Sequence, residues 1–597
     1  MALKVDRPGR GLSPHKPLRP LYAMLPFALV LAIGFVELLV FQLIHSAEPT
    51  AQQSVIYILE WLSPLSIKLT FALWCVVVFV NWRRHWRHQS SFGRHDLAWL
   101  GSILLIAGLA RGLGVPFQHR VYYDEDVYLQ IARGICAEGR SLQATAATLS
   151  VGEYHCLSGV YPKWPNGWAT LLSLLFRLLG PSEITAFATN FGVSLIHIAL
   201  VAVLARQLFP SDRTWLFATA IFAALPANAI WGSTAAVDPA AAAFNTGTLL
   251  AFLHLGKNPL SKSALLLAVA TGALAMQFRA ESLLILIAAV ILLLLGTDWD
   301  TFGAETAAIQ RRYCYGALLF FAMLLPHVIH LGLISIYYDP AMGEGVGFNV
   351  KHILPNLASN ASYFVEELLM VITTVLAVLG VLFCRRHNVI WVLVLWFFLF
   401  FTIFIGYFVG SYRLPGLERY VLLCLAPYAI LAARGLDTVS LWATQKVTRL
   451  RGATLPRALA AGFFIGGALA TPGHVQRWDE PTRVLSEEHN FLRIAMAKLP
   501  PDAIVLFPIP SVIINIGRSS AWPYPNVDMD ILEELARNAE GELYLYSGIV
   551  PWENRPESTR LREWYNQCKG RPIFTTLVDS HQLTVYQLCE ITADLGP

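Results

Sequence analysis

The chain has 597 residues, of which 55% are hydrophobic and only 14% are charged. Soluble domains carry about 25% charged residues, so the composition excludes a soluble globular protein and predicts a polytopic membrane protein. The formal net charge of +4 gives no indication of a nucleic-acid partner. Residues 1–21 are basic and proline-rich, and the hydrophobic run behind them is too long for the core of a cleavable signal peptide. We therefore expect a basic cytoplasmic tail followed by a signal anchor.

Apolar stretches of about 20 residues, the length that crosses a bilayer, recur from residue 22 to residue 473. They predict thirteen membrane spans, at 22–45, 56–81, 97–115, 186–205, 215–231, 239–256, 263–277, 282–296, 314–336, 363–384, 388–410, 419–436 and 457–473. Residues 166–180 are too short to span and contain Arg177. We expect this segment to be an amphipathic helix lying at the membrane surface.

Positive charge alternates along the gaps between these spans. Lys and Arg collect in every second gap, for example at Arg311 and Arg312, whereas the gap at 46–55 has neither. Because these residues concentrate on the cytoplasmic side, the pattern predicts a cytoplasmic N-terminus and an extracytoplasmic C-terminus. The long segment 116–185 and everything after residue 474 then lie outside the cytoplasm. We expect a multi-pass plasma membrane protein, specifically of a bacterial inner membrane.

Four of the eight cysteines fall in segments that this topology places outside the cytoplasm. They are Cys136 and Cys156 in the 116–185 segment, and Cys568 and Cys589 near the C-terminus. Two pairs in an oxidising compartment predict two disulfides, one in each segment. The alternative is four unpaired thiols.

From residue 475 onward charges and prolines become frequent, and short apolar runs alternate with helical ones. Strands are predicted at 503–507, 542–546, 573–577 and 583–586, and a helix at 529–538. Strands alternating with helices favour a small α/β domain over 475–597, which is a usual domain size. The predicted fold class is an all-α polytopic membrane protein, with its transmembrane domain at 22–474 and a small C-terminal extracytoplasmic α/β domain.

The strongest chemical signal is the run Tyr122-Tyr123-Asp124-Glu125-Asp126-Val127-Tyr128, with three consecutive carboxylates between aromatic residues. It lies in the 116–185 segment, and long loops in compact proteins are usually functional. Carboxylates at a helix N-terminus are favoured by the helix dipole, so a cap is the structural alternative. A cap needs only one acid, however, and three in a row repel one another. A carboxylate here could act as a general base, or two could hold a divalent cation.

Further candidates lie on the same predicted side of the membrane. Asp238 precedes Pro239 at a helix start, which fits an N-terminal cap as well as a second catalytic acid. Lys163 is placed either to meet a lipid phosphate or to snorkel to headgroups. Arg279 either pairs with Glu281 or binds a phosphate through the planar fork of its guanidinium group. Arg419 and its neighbour Tyr420 lie at the predicted outer end of a later span.

In their order these motifs resemble those of GT-C glycosyltransferases, in the branch that holds aminoarabinose transferases and protein O-mannosyltransferases. Residues 123–128 resemble the Asp-Glu motif of the first outer loop, Lys163 the Lys-Pro-Pro motif, Asp238 the second acidic position, Arg279 the arginine-containing outer turn, and Arg419 the late Arg-Tyr span. The resemblance covers residues 115–435. This sequence departs from the pattern in two places: three predicted spans precede the loop, and Trp164 interrupts the Lys-Pro-Pro motif.

The resemblance implies transfer of a sugar, with inversion, from a polyprenyl-phosphate donor to an acceptor at the extracytoplasmic face. Lys163, Arg279 and Arg419 would hold the donor phosphate. Asp124 would take the acceptor's proton, with Glu125 or Asp238 helping to orient the acceptor. The implied partners are membrane lipid, a lipid-linked sugar and a glycan, lipid or protein acceptor, without nucleic acid. A divalent cation is compatible with this interpretation, but its ligands are left open.

Two other functions share the same gross features. A secondary transporter would also have many spans and buried charges, but it predicts inverted repeats and broken helices around a midplane site. It gives no reason for a long first loop or an outer α/β domain. A non-catalytic cell-envelope assembly protein would tolerate the loss of Asp124, Lys163 and Arg279 together.

Overall fold

The computed structural model describes twelve continuous stretches of the chain and scattered positions between residues 32 and 46. The stretches are 48–83, 92–150, 153–210, 213–297, 304–337, 348–384, 388–446, 454–507, 509–521, 543–547, 571–578 and 581–587. The predicted tail at 1–21, the helix predicted at 529–538, Cys568 and Cys589 lie outside the described residues.

Helices make up most of the described chain. The first nine are α1 (Pro49–Asn81), α2 (Arg94–Gly114), α3 (Asp124–Ala137), α4 (Gly167–Leu179), α5 (Glu183–Leu208), α6 (Thr214–Ala224), α7 (Pro226–Trp231), α8 (Asp238–Lys257) and α9 (Lys262–Phe278). The others are α10 (Ile285–Gly296), α11 (Thr306–Tyr337), α12 (Ile353–Glu366), α13 (Leu368–Cys384), α14 (Asn388–Ile405), α15 (Leu422–Lys446), α16 (Thr454–Asp479), α17 (Arg483–Lys498) and α18 (Pro510–Ile516). Short 3₁₀ helices at Ala280–Leu284 and Glu418–Val421 lead into α10 and α15.

Among the described residues, seven helices are long and apolar enough to cross a membrane. An eighth span results if one bent pair is counted as a single span, in which α12 and α13 meet at 100°. Each predicted span after the first overlaps a helix, whereas the first, at 22–45, lies largely outside the described residues. The predicted class, a polytopic helical membrane protein with a small C-terminal sheet region, is confirmed. The count of thirteen and the orientation stay predictions.

Helix α8 lies at the centre of the helical region. It packs against α5, α9 and α10, and nearly all its side chains are buried. The sequence allows this because residues 240–243 are four consecutive alanines, whose small side chains let neighbouring helices approach closely. Asp238 is the first residue of α8 and Pro239 the second, in agreement with the predicted helix start. The depth of α8 therefore fixes Asp238 inside the protein.

Helices α13 and α15 make a close contact through two glycines. A Cβ atom added at Gly380 would lie 2.2 Å from the Leu431 carbonyl oxygen, and one added at Gly435 would lie 1.9 Å from the Leu376 carbonyl oxygen. No side chain fits at such distances, so the two backbones touch directly. This contact anchors α15, whose preceding 3₁₀ turn holds Arg419.

The strands form one seven-stranded sheet in the order β2-β1-β4-β3-β5-β7-β6. They are β1 (Gln143–Ser150), β2 (Glu153–Val160), β3 (Ile504–Leu506), β4 (Ser519–Ala521), β5 (Leu543–Ser547), β6 (Arg571–Val578) and β7 (His581–Gln587). Strands β3, β5, β6 and β7 agree with the four that the apolar runs predict. Strands β1, β2 and β4 were not predicted from the sequence.

This sheet joins two distant regions of the chain. Strand β1 pairs with β4 in antiparallel fashion, with Ala146 opposite Ala521 and Ala147 opposite Ser520. The sheet therefore crosses the predicted boundary at residue 475, and the 116–185 segment and the C-terminal residues share one layer. Helix α17 packs on this sheet through a cluster that includes Leu492 and Val505. The C-terminal region is thereby held directly against the segment that begins α3.

Among the described residues Cys136 and Cys156 are not bonded to each other, and both are free thiols. Cys136 packs against the main helical core, whereas Cys156 belongs to a small cluster beside the sheet with Tyr154. Their side chains thus have different surroundings, and the described contacts that hold this segment include the pairing of β1 with β2 and β4.

Candidate functional site

The site is built around the start of α3, where the backbone is strained. Tyr123, directly before the helix, has a φ of 74° and is the one non-glycine residue with positive φ among those described. A bulky side chain is unfavourable in that region, and such residues persist only where their surroundings hold them. Here the Tyr123 hydroxyl donates to the Glu488 carboxylate of α17, and its ring lies 6.3 Å from the Phe507 ring. The C-terminal region therefore fixes the turn that places Asp124 at the first position of α3.

The three consecutive carboxylates point to three different places. On a helix, residues one or two positions apart do not face each other. Asp124 is 37% exposed at its side chain and lies 3.3 Å from Arg419, whereas Glu125 and Asp126 are fully buried. Asp126 faces His489, 3.1 Å away on α17. The Asp-x-Asp spacing therefore does not produce one shared cation site between Asp124 and Asp126.

Glu125 holds the loop in place. One of its oxygens accepts hydrogen bonds from the backbone N–H groups of Arg120 and Val121, each at 2.9 Å. The other accepts from the Ala235 N–H at 2.7 Å and lies 3.0 Å from Nδ1 of His119. All its strong acceptor positions are thus engaged within the protein. Glu125 is therefore positioned to organise the loop rather than to orient an acceptor molecule.

Beside Asp124 lies a cluster of partly buried arginines and of carboxylates. Arg279 pairs with Asp238 of α8, and its fork also binds Glu281, with contacts of 2.8 Å and 3.2 Å. Arg419 reaches Asp124 at 3.3 Å and stands 3.6 Å from the second oxygen of Asp238. Within the part of the chain that the structure describes, that Asp238 oxygen and the facing Arg419 Nε have no hydrogen-bond partner. Asp238, with no exposed surface, thus faces Arg279 with one carboxylate oxygen and Arg419 with the other.

Aromatic rings form the walls of this cluster. The guanidinium groups of Arg279 and Arg419 lie 4.8 Å and 5.4 Å from the centre of the Tyr420 ring, which is a cation–π arrangement. Tyr128 of α3 is buried nearby, and burial raises the pKa of its hydroxyl well above the usual range. The Tyr128 hydroxyl therefore remains neutral at ordinary pH.

Lys163 lies at the edge of this aromatic wall. It is exposed, and its Nζ sits 4.6 Å from the centre of the Trp164 ring. Trp164 in turn meets Tyr128 edge-on, with the ring centres 6.3 Å apart. Trp164, the residue that interrupts the expected Lys-Pro-Pro motif, thus links the lysine to the wall of the cluster.

The predicted site residues therefore divide into groups. Asp124, Asp238, Arg279 and Arg419 converge in one cluster, with Lys163 at its aromatic edge, while Glu125 takes a supporting position. Two further residues, His119 and His489, were not predicted from the sequence. His119 faces Glu125, and His489 faces Asp126. His119 precedes the acid run by only five residues, a proximity that could have drawn attention to it. His489 is 363 residues from Asp126, and nothing in its local sequence connects the two.

The groups around Asp126 shift the pKa of its carboxyl. Burial alone would raise the pKa of its carboxyl, but the adjacent imidazoles of His489 and His119 hold that pKa well below its usual range. Asn515 adds hydrogen bonds from Nδ2 to the Asp126 carbonyl at 2.8 Å and to its carboxylate at 3.2 Å. Asp126 is therefore a buried carboxylate ion.

Fold and site together define a polytopic membrane protein with a carboxylate–arginine cluster that opens at Asp124. No protein-family profile matches the chain, and no curated protein matches its sequence. Among solved structures it is similar to ArnT from Cupriavidus metallidurans in the apo state, with 16% identity and a TM-score of 0.49 over 83% of this chain and 98% of that chain. A structure of the same ArnT bound to undecaprenyl phosphate gives 15% identity and a TM-score of 0.48, over 84% and 99% of the two chains.

The chain is also similar to the oligosaccharyltransferase of Archaeoglobus fulgidus, with 12% identity and a TM-score of 0.38 over 79% of this chain and 70% of that chain. Both proteins are members of the GT-C superfamily, which is the one that the sequence motifs resemble. At such identities and TM-scores, what this chain binds and does rests on its own residues.

Proposed function

We propose that the protein is a membrane glycosyltransferase that moves a sugar from a polyprenyl-phosphate donor to an acceptor. The observation that carries the proposal is the partly exposed Asp124 carboxylate beside two partly buried arginines, themselves held by Asp238 and Tyr420. Transfer from a lipid phosphate needs one group that accepts a proton and others that stabilise a departing phosphate. The cluster provides both kinds of group within one small volume.

Asp124 is the base in this proposal. Its carboxylate is the accessible one, whereas Asp238 is buried between two arginines and Glu125 is bound by four donors within the protein. The acceptor's oxygen or nitrogen forms the new bond to the anomeric carbon, and Asp124 takes its proton. The bond from that carbon to the phosphate oxygen breaks, and the phosphate leaves with the electron pair. Attack from the side opposite the leaving group inverts the anomeric centre.

Arg279, Arg419 and Lys163 are the groups we assign to the donor phosphate. Preorganised positive groups stabilise charge that develops on a leaving group, so a phosphate can leave without a general acid. Arginine suits this task because its planar fork matches phosphate oxygens. The carboxylates of Asp238 and Glu281 and the ring of Tyr420 hold the two forks in fixed orientations.

The lipid tail of the donor has an apolar path near Lys163. A groove of about 470 Å³ lies between α1 and α11, lined by Leu62, Leu65, Leu69, Met323, Pro326 and Ile329 among others. Next to Ile329, His330 lies 2.9 Å from the Tyr161 hydroxyl, two residues before Lys163. The groove therefore ends close to the lysine. A polyprenyl chain in this groove would place its phosphate near the aromatic edge of the cluster.

Charge balance bears on whether a cation accompanies the donor. Asp124, Asp238 and Glu281 carry three negative charges against the two positive charges of Arg279 and Arg419, which leaves −1. Lys163 brings this sum to zero, and a donor phosphate adds negative charge. A Mg²⁺-like ion is compatible with this balance, because such ions are commonly held by one or two carboxylates together with substrate phosphates.

The decisive experiment compares Asp124→Asn with Asp502→Asn, an exposed aspartate in the turn before β3. Membranes containing each variant are assayed for transfer from a panel of labelled polyprenyl-phosphate sugars. We expect Asp124→Asn to lower transfer by about 10²–10⁴-fold, the usual contribution of a general base, while Asp502→Asn leaves it unchanged. Near-normal transfer by Asp124→Asn would overturn the assignment of the base. Absence of transfer by the unaltered protein from every donor would favour a transporter or an assembly protein.

A further inference from the structure

A second cluster of chemically versatile side chains lies on the other side of α3. The ligand-type atoms of His119, Asp126 and His489 all lie within 4.8 Å of one another, and all three residues are buried. His119 comes from the segment before α3, Asp126 from α3 and His489 from α17. Three elements, including one from the C-terminal region, thus converge on one point.

The hydrogen bonds around this cluster orient its atoms inward. His119 faces the Glu125 carboxylate through Nδ1 at 3.0 Å, and its buried Nε2 has no hydrogen-bond partner among the described residues. An imidazole held by a carboxylate through one nitrogen, with the other free, is the usual arrangement of a metal-binding histidine. Asn515 holds one oxygen of Asp126 at 3.2 Å, so that the other oxygen faces His489.

One distance between proposed ligands matches the edge of a coordination polyhedron, and the three ligand-type atoms all lie within 4.8 Å of one another. Zinc–nitrogen and zinc–oxygen bonds of about 2.0–2.1 Å in a tetrahedron put neighbouring ligand atoms about 3.3 Å apart. His489 Nε2 and Asp126 Oδ2 are 3.1 Å apart. A carboxylate oxygen of Glu183, which also pairs with Arg493, lies 3.7 Å from Nε2 of His119.

We propose that His119, Asp126 and His489 bind a zinc-type divalent ion, with Glu183 beside the fourth position. Two imidazoles and one carboxylate are a ligand set that Zn²⁺ favours, in contrast to the all-oxygen sets of Mg²⁺ and Ca²⁺. The site is separate from the carboxylate–arginine cluster, because Asp124 and Asp126 project to different sides of α3. Its role is structural: the ion fastens the segment that carries Asp124 to helix α17. The alternative is a metal-free network of buried ion pairs between the same groups.

The test measures metal binding by the full chain, purified in detergent through an affinity tag other than polyhistidine. The protein is stripped with a chelator, dialysed, and titrated with Zn²⁺ against a chromophoric competitor. Co²⁺ is added in parallel, since its visible absorption reports four-coordinate geometry. We expect one Zn²⁺ per chain and an intense Co²⁺ spectrum. Failure of the unaltered protein to bind either ion stoichiometrically would overturn the proposal, whether or not any variant folds.

Variants then locate the ion. We expect Asp126→Asn and His489→Gln each to weaken Zn²⁺ binding by at least about 100-fold, and Glu125→Gln, which acts through His119, by about 10–100-fold. The control is His155→Gln, which removes an exposed imidazole on β2. Zinc binding by His489→Gln equal to that of the control would overturn the assignment. Because binding is measured without substrate, the result is independent of whether the chain transfers sugars.

Discussion

Asp124 and Arg419 meet at 3.3 Å, and Arg419 also stands 3.6 Å from Asp238. Two carboxylates therefore share one guanidinium, and the arginine sets the direction in which Asp124 faces. A lysine at this position would keep the charge but present a single point of contact instead of a fork. The substitution Arg419→Lys therefore tests the geometry of the guanidinium group separately from its positive charge.

We expect Arg419→Lys to lower kcat by about 10²–10³-fold, the usual cost of removing one electrostatic donor. Combined with Asp124→Asn, its effect should be much smaller than the product of the two, since residues that act as a unit are not additive. Transfer kinetics of the four proteins of this double-mutant cycle provide the check. Fully multiplicative effects would show that Arg419 and Asp124 act separately.

At the scale of elements, the glycine contact between α13 and α15 fixes the position of the 3₁₀ turn that carries Arg419. We expect Gly435→Ala to destabilise the protein by about 1–3 kcal/mol, since a Cβ there would overlap the α13 backbone. Gly466→Ala is the control, because a Cβ at Gly466 of α16 meets no atom within 4 Å. Thermal unfolding in detergent measures both. Equal stability of the two variants would contradict the close contact.

The helices and strands also show which elements could be predicted from sequence patterns. Long apolar runs predicted the helices, because a membrane helix is specified by its hydrophobicity alone. Strands β3, β5, β6 and β7 were predictable from apolar runs, whereas β1 reads Gln-Ala-Thr-Ala-Ala-Thr-Leu-Ser, in which only Thr and Leu suggest a strand. Its small residues suit a place between two other strands, and only the tertiary pairing with β4 makes this evident.

The same limit applies to the site. The order of motifs was enough to bring Asp124, Asp238, Arg279 and Arg419 into one hypothesis. It could not separate the roles of Asp124, Glu125 and Asp126, because these depend on which direction each residue faces around α3. The contact between Asp126 and His489 depends on how the two ends of the chain pack, which no local pattern records.

At the scale of the whole molecule, the shared sheet unites the segment around α3 with the C-terminal region in a single structural layer. Strand β1 lies inside the sheet, between β2 and β4, whereas β6 is at its edge. We expect amide hydrogens of Ala146 and Ala147 to exchange more slowly than those at the outer side of β6, since paired interior amides are protected. Hydrogen exchange followed by mass spectrometry measures this. Fast exchange throughout β1 would mean that it does not pair with β4.

The pairing of β1 with β4 also sets an order of events during biosynthesis. Strand β2 follows β1 directly, but β1 ends at Ser150 and its other partner, β4, begins only at Ser519, more than three hundred residues later. At about 5–20 residues per second, the edge of β1 that faces β4 stays unpaired for roughly 18–74 s, and an unpaired edge invites association with other chains. Folding of the region around α3 is therefore completed only after α17 and β4 have been made. Until then the nascent protein lacks the support of Tyr123 by Glu488, and any activity that depends on Asp124 must wait for these two elements.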